Sequence, residues 1–407
     1  MYRGGMSSVQ IPEPDQAHHG SRRIRCIAVI REGRLAIPQD RLSDLKERLA
    51  KTLWPSEIEN SGWSYGANLQ TIKEFCECWA STFDWRAWEA KLNAHPQFVA
   101  SLDGVEIHFL HIASKNKQAV PLLLTHGWPS SVFEYLKIIP LLREDFSLVI
   151  PSLPGHGSAA PTARPGLSIY AVASLWHQLM TNELGYDKYG VQGGDWGAYC
   201  SSRMAFEFPN SILGLHLSYV VGGLMPDLGP KSTPLTPDEK AMLERRRQWS
   251  ENEGGYEHLQ STKPQTLAFA LIDSPAGLCA WILEKWNSWT DCSGRLESRF
   301  TKDELLANVS WYWLTRSIGS AIRLYYETAK APWNLGPGER IGVPTAVASF
   351  PKELVVSPRE WAERIYNVQQ WTEMSRGGHF GAIEEPEALA TDIKKFFLGR
   401  APRAKQP

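Results

Sequence analysis

The chain has 407 residues, 43 of them Lys or Arg and 44 Asp or Glu, for a net charge of −1 with the histidines neutral. A composition that is 43% hydrophobic and 21% charged fits a globular enzyme and is too apolar for a disordered chain. Near-zero net charge without a long Lys/Arg run excludes the electrostatic footprint of a nucleic-acid or anionic-membrane binder.

Residues 1–22 hold no apolar core segment and are punctuated by Pro12, Pro14 and Gly20. They read as a disordered leader, not a signal peptide or membrane anchor. Elsewhere no apolar run reaches the roughly 18 residues a spanning helix needs, so a soluble, cytoplasmic protein is expected. Cys26, Cys76, Cys78, Cys200, Cys279 and Cys292 form no C-x-x-C pair. They read as reduced thiols and not as a disulfide framework or a zinc site.

Residues 23–119 form a first domain, rich in helical stretches and tryptophan and poor in strand signals. One amphipathic helix starts at Ser43 and ends before Trp54-Pro55. Further helices are expected over Asn68–Thr82 and Trp85–Asn93, and a strand over Val105–His111. Residues 120–221 then turn to α/β texture. Leu122–Leu124, Ser147–Ile150 and Tyr189–Gln192 are short buried-strand runs, each ending in a turn bearing Gly or Pro. Residues 222–335 lose the strand signal and are helical and aromatic, with Trp281, Trp286, Trp289, Trp311, Tyr312 and Trp313. Residues 336–400 resume the core with a strand over Thr345–Phe350 and a final helix over Glu385–Phe397, before a tail at 401–407. The alternation predicts a mostly parallel sheet flanked by helices, with a helical insert as a lid. Its site should lie at the carboxyl ends of the strands.

The most informative segment is Gly193-Gly194-Asp195-Trp196-Gly197, directly between a strand and a helix. Small residues on both sides allow a sharp turn that presents the middle side chain above the sheet. Serine usually occupies that place; here it is Asp195. A carboxylate is ionised at neutral pH and needs no base to activate it. It suits attack on a saturated carbon with a strained or good leaving group, giving an alkyl ester that water must then hydrolyse. His379, in Arg376-Gly377-Gly378-His379-Phe380 before the last helix, is the candidate general base and follows the chain order of such elbows. Glu353, after the strand ending at Phe350, can orient the imidazole. His126-Gly127-Trp128-Pro129 supplies a facing loop. The backbone N–H groups of Trp128 and Trp196 would make an oxyanion hole.

These motifs resemble those of the microsomal-type epoxide hydrolases, a branch of the α/β-hydrolase fold. Phe83-Asp84-Trp85-Arg86, Glu89–Asn93 and Pro96-Gln97-Phe98 resemble that family's amino-terminal domain. The His126, Asp195 and His379 segments resemble its active-site loops, so the likeness spans about residues 28–399. It implies an epoxide hydrolase forming a vicinal diol, with no cofactor and no metal. It also implies two lid tyrosines that donate to the epoxide oxygen. The matching positions are Tyr256, in Gly-Tyr-Glu-His, and Tyr325, with Tyr326 as the neighbouring alternative. It places Glu353 in the family's Phe-Pro-x-acid motif. Two departures stand out: Ser130 where Gly is common, and His156 where an aromatic residue is often found.

The expected partner is a small apolar or aryl epoxide, which would suit detoxification or aromatic hydrocarbon catabolism; no nucleic acid is expected, and the first domain could support a homodimer. Two rivals remain: a haloalkane dehalogenase, which shares the Asp elbow, and a non-catalytic ligand-binding protein on the same scaffold.

Overall fold

A computed structural model describes residues 30–159, 164–229 and 232–400. The expected leader, the tail and Cys26 lie outside these residues. The first region contains β1 (Ile30–Gly33), α1 (Gln39–Ala50), α2 (Leu69–Ser81), α3 (Trp85–Asn93), β2 (Gln97–Leu102) and β3 (Val105–Ile112). Helix α1 begins ahead of Ser43, because Pro38 with φ −58° leads the chain into it. Asn68 caps α2 by accepting from the Thr71 N–H, and Asp84 caps α3 by accepting from the Arg86 N–H. The expected poverty of strands is corrected by β1 and β2. Strand β1 is short and polar, and in β2 four of six residues are buried without regular alternation, so neither shows the period-two pattern.

The core follows with β4 (Val120–Thr125), α4 (Ile139–Leu142), β5 (Phe146–Pro151), α5 (Ile169–Gln178), β6 (Tyr189–Gly193), α6 (Asp195–Glu207) and β7 (Ile212–Leu217). Six helices then form the insert: α7 (Pro237–Glu253), α8 (Gly255–Thr262), α9 (Pro264–Asp273), α10 (Pro275–Trp289), α11 (Lys302–Leu314) and α12 (Ile318–Lys330). The core closes with β8 (Ile341–Ser349), α13 (Arg359–Ile365), β9 (Tyr366–Glu373), α14 (Gly381–Glu384) and α15 (Pro386–Phe397).

Among the described residues all nine strands join one sheet, in the order β1-β2-β3-β5-β4-β6-β7-β8-β9. The first three pair antiparallel and β3 joins β5 antiparallel, while every pairing from β5 to β9 is parallel. Every residue of β5 and β6 is buried, as a parallel sheet covered on both faces requires. The lid therefore enters and leaves at the carboxyl edge, between β7 and β8.

The first region braces this lid. The Trp79 indole N–H of α2 donates to Ser310 Oγ of α11 at 2.8 Å, and its ring meets Trp313 edge-on. Arg48 of α1 pairs with Asp273 at the end of α9. Among the described residues no single helix is long and apolar enough to cross a membrane. The bent pair α9–α10 has comparable apolar length, but Leu278, Cys279, Ile282, Leu283 and Trp286 of α10 are buried in the protein. The five described cysteines are free.

Candidate active site

The carboxyl ends of four parallel strands deliver the polar groups. The turn after β6 carries Asp195 with φ 45°, the left-handed region that L residues avoid. Two glycines make room for it. A Cβ on Gly197 would lie 1.8 Å from the Thr125 carbonyl oxygen of β4, and one on Gly127 would strike the Asp195 side chain at 2.3 Å. The carboxylate thus stands above the sheet with its neighbours pressed against it, an arrangement met at functional sites.

Trp128, after β4, donates its N–H to Asp195 Oδ1 at 2.7 Å. The Trp196 N–H lies in the first turn of α6, where a helix offers no internal acceptor. His126 fixes the Trp128 loop from below. Its Nε2 accepts from the Leu153 N–H at 3.1 Å, which leaves Nδ1–H to donate to the Gly127 carbonyl at 2.9 Å. Burial holds this imidazole down at about 4, so it is neutral. His156 packs edge-on against His126 and Tyr312, and burial lowers it to about 3. It therefore fills an aromatic position as a neutral ring.

From the loop after β9, His379 Nε2 lies 3.4 Å from Asp195 Oδ2, and its Nδ1–H donates to Glu353 Oε1 at 2.5 Å. Glu353 reaches it from the turn after β8. Burial disfavours the charged imidazole, but the Glu353 and Asp195 carboxylates outweigh that and raise it to about 10. Those two carboxylates, at 2.5 and 3.4 Å, favour the charged form of the imidazole.

The lid closes over these groups with aromatic rings. Tyr256 of α8 stacks on Trp128 at 5.3 Å and 7°, and Tyr325 of α12 meets Trp128 and Trp196 edge-on at 5.7 and 4.7 Å. Burial, with the Glu257 and Asp195 carboxylates nearby, pushes the Tyr256 phenol well above its ordinary value. Burial, with Tyr256 and Asp195, does the same for Tyr325. Both remain protonated. Tyr326 instead packs under the Lys330 ammonium, away from this cluster.

The structure brings together Asp195, His379, Glu353, Trp128, Trp196, Tyr256 and Tyr325, all expected from the sequence. Two contributors were not singled out for the site. Trp289, at the end of α10, accepts the His379 N–H on its carbonyl at 2.8 Å and sets its ring edge-on to the imidazole at 5.2 Å. Glu384 bonds the amides on either side of His379. The only sequence signal for Glu384 is its place shortly after His379, and none marks its partners.

Fold and geometry define an α/β hydrolase with a carboxylate at the elbow. The profile of the epoxide hydrolase N terminus matches residues 30–135, and that of the α/β hydrolase fold matches residues 120–240. Over 90% of its length the chain is 38% identical to juvenile hormone epoxide hydrolase 2 of Ctenocephalides felis and 36% identical to epoxide hydrolase 1 of Sus scrofa. Those alignments cover 86% and 88% of the two relatives. The Aspergillus niger epoxide hydrolase structure superimposes with a TM-score of 0.81 at 32% identity, covering 91% of this chain and 96% of that one. The chain belongs to the microsomal-type epoxide hydrolase family. Membership decides between the two catalytic readings in favour of epoxide hydrolysis over dehalogenation.

Proposed function

We propose that the chain converts an apolar or aryl epoxide to a vicinal diol through an ester on Asp195. Asp195 Oδ2 attacks a ring carbon, the carbon–oxygen bond breaks, and the electron pair leaves on the ring oxygen. Tyr256 and Tyr325 donate to that oxygen as charge develops, and it takes a proton. Consuming the Asp195 charge removes one of the two anions that hold the His379 proton. The imidazole can then release it, which balances the proton taken by the alkoxide.

Neutral His379, oriented by Glu353, next removes a proton from water. The resulting hydroxide adds to the ester carbonyl carbon while Oδ1 bears negative charge toward the Trp128 and Trp196 amides. The bond between that carbon and Oδ2 breaks, the leaving alkoxide takes the proton from His379, and the diol departs with Oδ2. A positioned base contributes about 10²–10⁴-fold to such a step. The observation that carries this reading is Asp195, bonded through one oxygen to Trp128 N–H and facing His379 with the other. The indole and phenol rings around it support apolar or aryl substrates.

The test is a single turnover with excess enzyme and an aryl epoxide in ¹⁸O-water. Unlabelled diol, with label retained in the peptide containing Asp195, is expected. Labelled diol from the first turnover would mean direct attack by water and would remove Asp195 from the nucleophile's role.

A further inference from the structure

The loop that carries His379 is anchored at four consecutive amides. Gly377 N–H donates to Asp291 Oδ2 at 3.1 Å, and His379 N–H donates to the Trp289 carbonyl at 2.8 Å. The two between and after them end on a single carboxylate. Glu384 Oε2 accepts from Gly378 N–H at 3.0 Å, and Oε1 accepts from Phe380 N–H at 3.1 Å. Oε2 also takes the Asp291 N–H of the lid at 2.9 Å.

Glu384 is buried at the end of α14. Arg299 is engaged elsewhere, bonded to Asp291 and to Glu385. A buried carboxyl must have its oxygens satisfied to be tolerated, and here backbone N–H groups provide all three direct partners. Fixing a reacting group by its main chain limits the drift that ångström-scale catalysis cannot accept.

We infer that Glu384 is a positioning residue for the hydrolytic half-reaction. Through the Gly378 and Phe380 amides it sets His379 against Asp195, and through the Asp291 amide it ties that setting to the seated lid. The inference rests on His379 acting as the base. Carbon–oxygen bond breaking, which uses Asp195 and the lid tyrosines, does not pass through this clamp; His379 gives up its proton only after that bond has broken.

The test is Glu384→Gln, read by stopped-flow and rapid-quench kinetics on the full chain with an aryl epoxide. The Gln side chain offers one acceptor oxygen and turns an NH2 toward a backbone donor, so at least one amide is released. Ester hydrolysis should slow by about tenfold to a hundredfold, part of what a positioned base supplies. Ester should accumulate, and kcat and KM should fall together so that kcat/KM, which reports ring opening, holds. Glu384→Asp, which keeps the carboxylate but draws it back by one methylene, should show the same split to a smaller degree.

Equal slowing of both half-reactions, or no change in either, would overturn the inference. So would a Glu384→Asp protein with an unaltered ester lifetime where Glu384→Gln does not fold. His379→Gln serves as the reference. If it traps ester while folded Glu384→Gln does not, Glu384 alone loses its role; if it fails to trap ester, the assignment of the base itself falls.

Discussion

Asp195 and His379 face each other across 3.4 Å, yet they are held in different ways. Asp195 is set by its own turn: a left-handed backbone, adjoining glycines and the start of α6. His379 sits on a loop whose amides are fixed by the lid's Trp289 and Asp291 and by Glu384. The nucleophile's backbone is thus written in its own turn and seated against one neighbouring loop, through Trp128 N–H, whereas the base is held almost wholly by tertiary contacts. Lid damage should therefore reach ester hydrolysis through two routes, and ring opening through the tyrosines alone.

The sharpest way to break this contrast is at the elbow. Gly197→Ala puts a methyl into the Thr125 carbonyl, so the turn and the strand beside it must separate. We expect a loss of more than about 4 kcal/mol, in the range of severe core substitutions, measured by chemical denaturation. A folded and active Gly197→Ala protein would show that the close seating of the elbow on β4 is not what sets Asp195.

Tyr256→Phe and Tyr325→Phe come next. Each removes one donor to the departing oxygen and should slow ring opening by about 10²–10³-fold, as loss of a comparable donor does elsewhere. Hydrolysis of ester already formed should be little affected. Rapid quench separates the steps, and a matching loss in hydrolysis would tie the lid to both halves equally.

The charge on His379 gives a pH test. Its folded value of about 10 lies above the ordinary 6.5 because the Glu353 and Asp195 carboxylates outweigh burial. The stability it contributes is therefore complete below about 6.5 and is lost as the pH rises through about 10. Asp195→Asn removes one carboxylate, so the imidazole titration followed by NMR should move to lower pH. An unmoved midpoint would mean that Glu353 alone sets the charge and that ester formation does not release the proton.

The smallest effect is expected from Asp291→Asn. The amide oxygen can still accept from Gly377, while the partly exposed pair with Arg299 is lost. About 1 kcal/mol of stability should go, seen as a small drop in Tm, with turnover nearly intact because Glu384 still holds Gly378 and Phe380.

What could be read beforehand follows the same division. Asp195 was legible because an elbow is written in adjacent residues, and Glu353 and His379 because each directly follows a strand or precedes a helix in a fixed order. Tyr256 and Tyr325 were legible only through family resemblance, since their rings arrive from separate lid helices. Glu384 left only its place shortly after His379, because its partners are backbone amides, which carry no residue identity. Among the strands, β7 and β9 went unread along with β1 and β2. Strand β7 is interrupted by Gly214 and His216, and β9 is a half-exposed edge with Asn367, Gln369 and Gln370 in its sequence. Edge strands are recognised by the neighbour they pair with more than by their composition.

The bond from Trp79 to Ser310 makes the first region part of the machine's thermal behaviour. It joins a helix outside the hydrolase core to the helical insert that carries both phenols. Sub-global opening precedes the global transition, and the helix that braces the insert, α2, contributes no strand to the sheet. Warming should therefore silence the protein before the sheet melts, with turnover lost ahead of the strand signal.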